Sequence, residues 1–279
     1  MKKSGYTSKT TRLFIYLLLG AVAVSSLYPI LWIVLSSLSP GSTLYSASLI
    51  PDRVTFVHYK TLFLDSPFTL WYWNTLKIAL MTMTLSVLLI VLGAYSFSQF
   101  RFKGRQFFLT TMLVLQIFPP FMTMIAVFLL LYQVNLLDSH LGMVLVYTGV
   151  AIPYGTWLMK GYMDGIPRSV PEAAKIDGAS HFVIFARIML PMTTPALIFI
   201  SLTNFTAPWM DFILARLVLH SADKKTLALG LFDMVKDKAA SEFTTFAAGS
   251  VMVAIPIALL YLYLQKYIVN GVTEGASKA

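Results

Sequence analysis

The sequence predicts an all-α integral membrane protein: six transmembrane helices, with a short polar helix in a cytoplasmic loop between the fourth and fifth. Three observations predict it. Of 279 residues, 57% are hydrophobic and only 12% charged, where a soluble domain carries about a quarter charged. The apolar residues are gathered into runs near the ~20 needed to cross a bilayer. Lys and Arg concentrate in the short connections on one side, as the positive-inside rule requires. The net charge of +9 therefore reads as topology and attraction to anionic lipid, not as a nucleic-acid surface. With no cysteine, disulfides and thiolate metal sites are excluded.

Residues 1–12 form a short basic N-terminus with Lys2, Lys3, Lys9 and Arg12, expected on the cytoplasmic side. The first span, 13–35, is too long for the apolar core of a signal peptide, and Tyr28-Pro29 with Trp32 replaces a small-residue cleavage site. A loop over 39–71 carries Pro40-Gly41, Pro51-Asp52 and Pro67 as breakers; within it 54–63 suits a short surface helix, and the lone His58 reads as a surface residue. The second span covers 74–97, with Lys77 near enough to its outer end to snorkel. Arg101, Lys103 and Arg105 mark the next turn as cytoplasmic. The third span, 107–132, is broken by Pro119-Pro120, which either kink it statically or unwind it where freed carbonyls line a cavity. The fourth, 141–159, holds Gly142, Gly149 and Gly155, small residues that permit helix contact.

Next comes a polar, helix-forming island within the loop 160–187, its helix expected over 167–182. Pro171 suits a first turn and Glu172 the positive end of a helix dipole. Ala173, Ala174 and Lys175 are strong helix formers. Gly178 lets another backbone approach closely or lets the chain bend. Held between two spans, such a helix is shaped like a handle. A fifth span over 188–212, interrupted by Pro191, Pro195 and Pro208, leads to an outer loop over 216–243. That loop carries Arg216, Lys224, Lys225, Lys236 and Lys238 among acids; long loops constrain topology less than short ones. A sixth span over 246–267 and a cytoplasmic tail, 268–279, complete the chain.

What the chain lacks narrows its chemistry. It has no G-x-x-x-x-G-K-[ST] phosphate loop, no H-E-x-x-H pair and no G-x-S-x-G elbow. Ionisable residues are nearly absent from the spans, which argues against a proton- or sodium-coupled carrier. For a solute path the fifth span offers Asn204, Phe205, Trp209 and Asp211, aromatic faces beside directed polar groups. Phe205 and Trp209 equally fit packing between helices, with Trp209 in the aromatic belt.

The island carries a family likeness. Glu172, Ala173, Ala174, Gly178, Ile188, Leu190 and Pro191 stand at the spacing EAA-x3-G-x9-I-x-LP, which resembles the complete EAA motif of ABC-importer permeases. NTLKIAL, AYSFSQFRFKGR, IFPP, WLMKGYMDGIP and the ending LQKYIVNGVTEGA extend the resemblance over nearly the whole chain, to the second permease subunit of the maltose and maltodextrin importers. The resemblance implies a type I ABC-importer permease fold in which the EAA segment docks into a cytoplasmic ATPase. ATP and Mg would be bound by that partner; no cofactor or metal is expected on this chain. Its implied partners are a second homologous permease, two ATPase subunits, an extracytoplasmic solute-binding protein, an oligosaccharide of maltodextrin type, and the lipid of a bacterial inner membrane. Both termini would be cytoplasmic, the tail along the ATPase dimer. By position alone, Asp233, Lys236, Asp237 and Lys238 would fall in a loop reaching the binding protein. Two alternatives stay open: a permease of the same architecture importing a galacto-oligosaccharide, a uronic-acid oligomer or glycerol phosphate, and a secondary carrier that uses no ATPase; an anionic cargo would call for Arg or Lys in the spans.

Overall fold

Long apolar runs become helices because a bilayer leaves no other partner for backbone amides and carbonyls. The computed structural model describes residues 9–41, 51, 53–236 and 243–276 and shows no strand among them. Among the described residues four helices are long and apolar enough to cross a membrane: α1 (Lys9–Ser37), α3 (Phe68–Gln99), α6 (His140–Asp164), and the last helix over Phe243–Gln265. α2 (Val57–Leu64) precedes α3. The third predicted span is two helices, α4 (Arg105–Leu115) and α5 (Pro120–Gln133), with Pro119 extended at ψ 129° between them. α7 is Ser169–Ile176. α8 (His181–Met192) and α9 (Thr194–Met210) together pass as one span but meet at 80°. α10 (Ile213–Val218), α11 (Leu227–Val235) and α12 (Phe243–Ala276) follow.

The chain divides into two compact units, Met1–Pro67 with Asp233–Ala254 and Phe68–Phe232 with Ile255–Ala279. In the first, Trp32 packs on Phe243 at 5.3 Å. His58, expected at the surface, is buried there: its Nε2 lies 2.8 Å from the Ser39 carbonyl and its Nδ1 3.3 Å from the hydroxyls of Thr244 and Thr245. Those partners lie far off in sequence, so local polarity gave no sign of them.

The second unit is built on α3, α6 and α9. One core cluster joins Ile90, Val91 and Tyr95 of α3 to Met159 and Met163 of α6, Ile184 and Met189 of α8, and Ile200 of α9. Gly155 of α6 faces Ile90, where a Cβ would fall 2.4 Å from Cδ1, and a Cβ at Gly142 would fall 2.4 Å from the Leu136 carbonyl oxygen, while Gly149 meets nothing; the first two are packing glycines.

Three predicted boundaries are corrected. The second span starts at Phe68, inside the expected loop. The fifth is not one straight helix but the bent pair α8 and α9, so Ile188, Leu190 and Pro191 lie on α8, before the bend. The reason is local: Pro191 and Pro195 lack amide protons, and the carbonyl of Pro191 loses its helical partner at 195. The Thr194 hydroxyl replaces it, donating to Pro191 O at 2.6 Å, while the buried Thr193 donates its hydroxyl to Leu190 O at 3.0 Å. The outer loop, third, is not open coil: α10 and α11 fill it. Leu227, Leu229 and Leu231 of α11 are buried, and Asp233 is helical. Beyond the sixth span the tail stays helical to Ala276.

Candidate functional site

The EAA segment folds as a short helix with one face seated and the other free. Pro171 and Glu172 occupy the first turn of α7 and Lys175 the last; the two charges complement the dipole. Val170 and Ala174 pack on the core cluster of α3, α6 and α9. Glu172, Ala173 and Lys175 are exposed, and Ile176 is 86% exposed. The two alanines thus divide the work: Ala174 is slim enough to seat the helix, and Ala173 keeps the outer face low.

Gly178 ends this helix. It stands at φ +82°, a left-handed conformation disfavoured by any Cβ. Gly178 N–H donates to Lys175 O at 3.2 Å and Ala179 N–H to Ala174 O at 2.9 Å, the paired bonds of a Schellman stop. A Cβ at 178 would meet nothing within 4 Å. Of the two roles expected for this glycine, the bend is present, and no other part of this chain approaches it. Ser180 then caps the next helix, accepting from Val183 N–H at 3.3 Å. Residues Ile184–Met189 widen into a π turn in which Leu190 N–H reaches back to Phe185 O. The motif residues are therefore placed on both sides of one sharp turn, Glu172 to Ala174 before it and Ile188 to Pro191 after it. Tyr95 of α3 anchors the turn, its hydroxyl donating to His181 O at 3.1 Å.

The span-five candidates separate. Asn204 and Asp211 line a cavity of about 450 Å³ with Gln116, Tyr147, Tyr154 and Thr203. Phe205 and Trp209 are not in it; Trp209 is buried against Tyr72 at 5.2 Å, edge to face, and against Phe205 at 6.0 Å. These two are packing residues. Asn204 donates to its own helix at Ile200 O, 2.8 Å. Asp211 accepts from the Tyr147 hydroxyl at 2.8 Å and caps α10 through Leu214 and Ala215 N–H at 3.3 and 2.9 Å. Gln116, in the α4–α5 break, reaches Val150 O at 3.3 Å, so the broken third span borders this cavity. Tyr147, Tyr154 and Gln116 carried no sequence signal beyond polarity in an apolar run. No Lys or Arg lines the cavity.

Of the predicted contact loop, Lys236 is exposed just past α11, while Asp237 and Lys238 lie outside the described residues. Sequence reading passed over the clasp at Asp138, which stands between α5 and α6 at φ 52°. Burial pushes its carboxyl up, but hydrogen bonds from the Ser221 hydroxyl and amide, the His220 amide and Lys224 outweigh this and hold it well below the usual carboxylate range. Lys224 Nζ lies 3.0 Å from its Oδ2.

Comparison with known proteins agrees with this architecture. A family described as binding-protein-dependent transport system inner membrane component matches residues 86–274. The chain is 45% identical to the galactooligosaccharides transport system permease protein GanQ of Bacillus subtilis (strain 168), over 95% of each chain. It is 37% identical to the maltodextrin transport system permease protein MdxG of the same organism, over 94% of this chain and 95% of that one. Among solved structures it resembles a chain of a bacterial ABC transporter involved in the import of the acidic polysaccharide alginate. The TM-score is 0.82 at 28% identity, covering 95% of this chain and 99% of that one.

Proposed function

The chain belongs to the binding-protein-dependent transport system inner membrane component family, and we propose that it is the permease subunit of an ATP-driven oligosaccharide importer. The observation that carries this reading is α7: a helix with an exposed outer face whose inner face rests on the core of three spans. Force applied to Glu172, Ala173 and Ile176 passes through Ala174 into α3, α6 and α9.

In this reading two ATPase subunits, holding ATP and Mg, close on α7 and on its equivalent in a second, homologous permease. The spans rock from inward-open to outward-open, an external binding protein releases its sugar, and hydrolysis resets the pair. This chain supplies no catalytic group. Its task is to convert closure into a shift between two packed states, and moving from 1:99 to 99:1 needs roughly 5.5 kcal/mol of differential binding. In the same reading both termini are on the ATPase side; the support is that the last helix continues beyond its apolar part to Ala276.

The cargo is a neutral oligosaccharide of the maltodextrin or galacto-oligosaccharide kind. Support comes from the relatives' sugars and from a largely apolar cavity that offers Tyr147, Tyr154, Gln116, Asn204 and Asp211 but no Lys or Arg. A uronic-acid oligomer or glycerol phosphate would lack a counter-charge there. The test is ATPase activity of the complex in nanodiscs, with binding protein loaded with maltodextrins, with galacto-oligosaccharides, or empty. Stimulation by one loaded form supports the reading and names the sugar. Absence of a co-purifying ATPase, or equal turnover in every arm, overturns it.

A further inference from the structure

The turn between α3 and α4 and the helix α7 form opposite walls of a groove of about 400 Å³. Arg101 and Arg105 line it from the turn, Arg168 and Lys175 from α7. Gly104, at φ +88°, tightens the turn between the two arginines. Among the described residues these four cationic groups have no hydrogen-bond or ion-pair partner. Two acids share the lining. Asp164 is already engaged, accepting from the Ser98 hydroxyl at 2.7 Å and paired with Lys160. Glu172 alone remains to set against four positive charges.

The groove lies where α3 and α6 end, at Gln99 and Asp164, and both helices are long and apolar enough to cross a membrane. Directly after Arg105, α4 exposes Phe107 (69%) and Phe108 (52%). Cationic groups next to exposed aromatic rings match a ligand that is anionic at one end and apolar at the other. Guanidinium forks fit phosphate oxygens in pairs, and basic pockets between membrane helices suit anionic lipid headgroups.

We propose that this groove binds the phosphate of an anionic phospholipid, its acyl chains lying along α4, and that the lipid ties α7 to the α3–α4 turn. An acidic protein surface or a free phosphate would satisfy the cations but leave the aromatic flank bare. The groove shares Glu172 and Lys175 with the exposed face of α7, so the lipid would sit beside whatever α7 docks against.

The test uses the purified complex in detergent and short-chain phosphatidylglycerol as probe, with phosphatidylcholine of the same chain length and inorganic phosphate as separate arms. The expected result is retention of phosphatidylglycerol over phosphatidylcholine. At about 1 kcal/mol per surface cation, Arg101→Gln with Arg105→Gln lowers that affinity about 30-fold. Arg168→Gln with Lys175→Gln, on the exposed wall, gives a loss of similar size if the first pair disturbs folding. Equal retention of the two lipids overturns the proposal. So does displacement of the lipid by inorganic phosphate at equal concentration, which would make the ligand a free anion. Unchanged lipid binding with loss of ATPase co-purification would assign the cations to a protein partner and also overturn it.

Discussion

The amide of Ala179 donates to the carbonyl of Ala174 across a turn that residue 178 makes at φ +82°. Ala174 is also the residue by which α7 rests on the core of the spans. The end of the handle and its seat therefore meet at one residue, and a change at 178 acts on both.

Gly178→Ala is expected to cost about 1 kcal/mol through the left-handed conformation alone, because its Cβ enters open space. Gly178→Asn should cost less, since Asn tolerates that region. The complex should assemble in both, with more ATP hydrolysed per sugar imported in the alanine variant. Sugar uptake and phosphate release in the same proteoliposomes give the ratio. An unchanged ratio in a Gly178→Trp variant would remove α7 from the coupling route.

Asp138→Asn tests the clasp. The native carboxyl titrates below its unfolded value of about 3.9, so its contribution is fully present above that pH. It is lost as pH falls through the lowered native value. Loss of the charge should cost about 1–3 kcal/mol at neutral pH. Thermal unfolding should show the variant less stable at pH 7 and close to wild type at the acid end of that window.

Gly230→Ala probes the seat of α11. A Cβ there would fall 2.1 Å from Cδ2 of Trp71, a rigid ring that cannot fold aside. Overpacking of this kind costs typically 1–3 kcal/mol. Reduced thermal stability with altered tryptophan fluorescence is the expected outcome; a variant as stable as wild type would show that α11 is free to lift from α3.

Much of this was legible in the chain, for physical reasons. Apolar runs marked α1, α3, α6 and the last helix, Pro119-Pro120 announced the break between α4 and α5, and the polar island held α7, though Gly178 stops it at Ser169–Ile176, short of the helix expected over 167–182. What escaped depends on contacts distant in sequence or on bends that composition does not register. Residues 188–212 read as one apolar run, yet Thr193 and Thr194 rewire the carbonyls around two prolines and turn the helix by 80°. His58 reads as polar and exposed until Thr244 and Thr245 come to meet it. Asn204 and Trp209 sit on one short stretch of α9, but only packing decides that the first lines a cavity and the second lies against Tyr72. Charges flanking α11 hid a helix whose leucines are buried.

The central claim is that an ATPase closes on the exposed face of α7. Because the chain has no cysteine, Ile176→Cys, at a position 86% exposed, places one unique thiol on that face. Cross-linking it in the purified complex, with and without ATP, is the most direct measurement. A covalent adduct to the ATPase subunit whose yield changes with ATP is predicted, with none from His220→Cys beside the Asp138 clasp. Adducts from His220→Cys alone, or none from Ile176→Cys in a complex that hydrolyses ATP, would contradict the account.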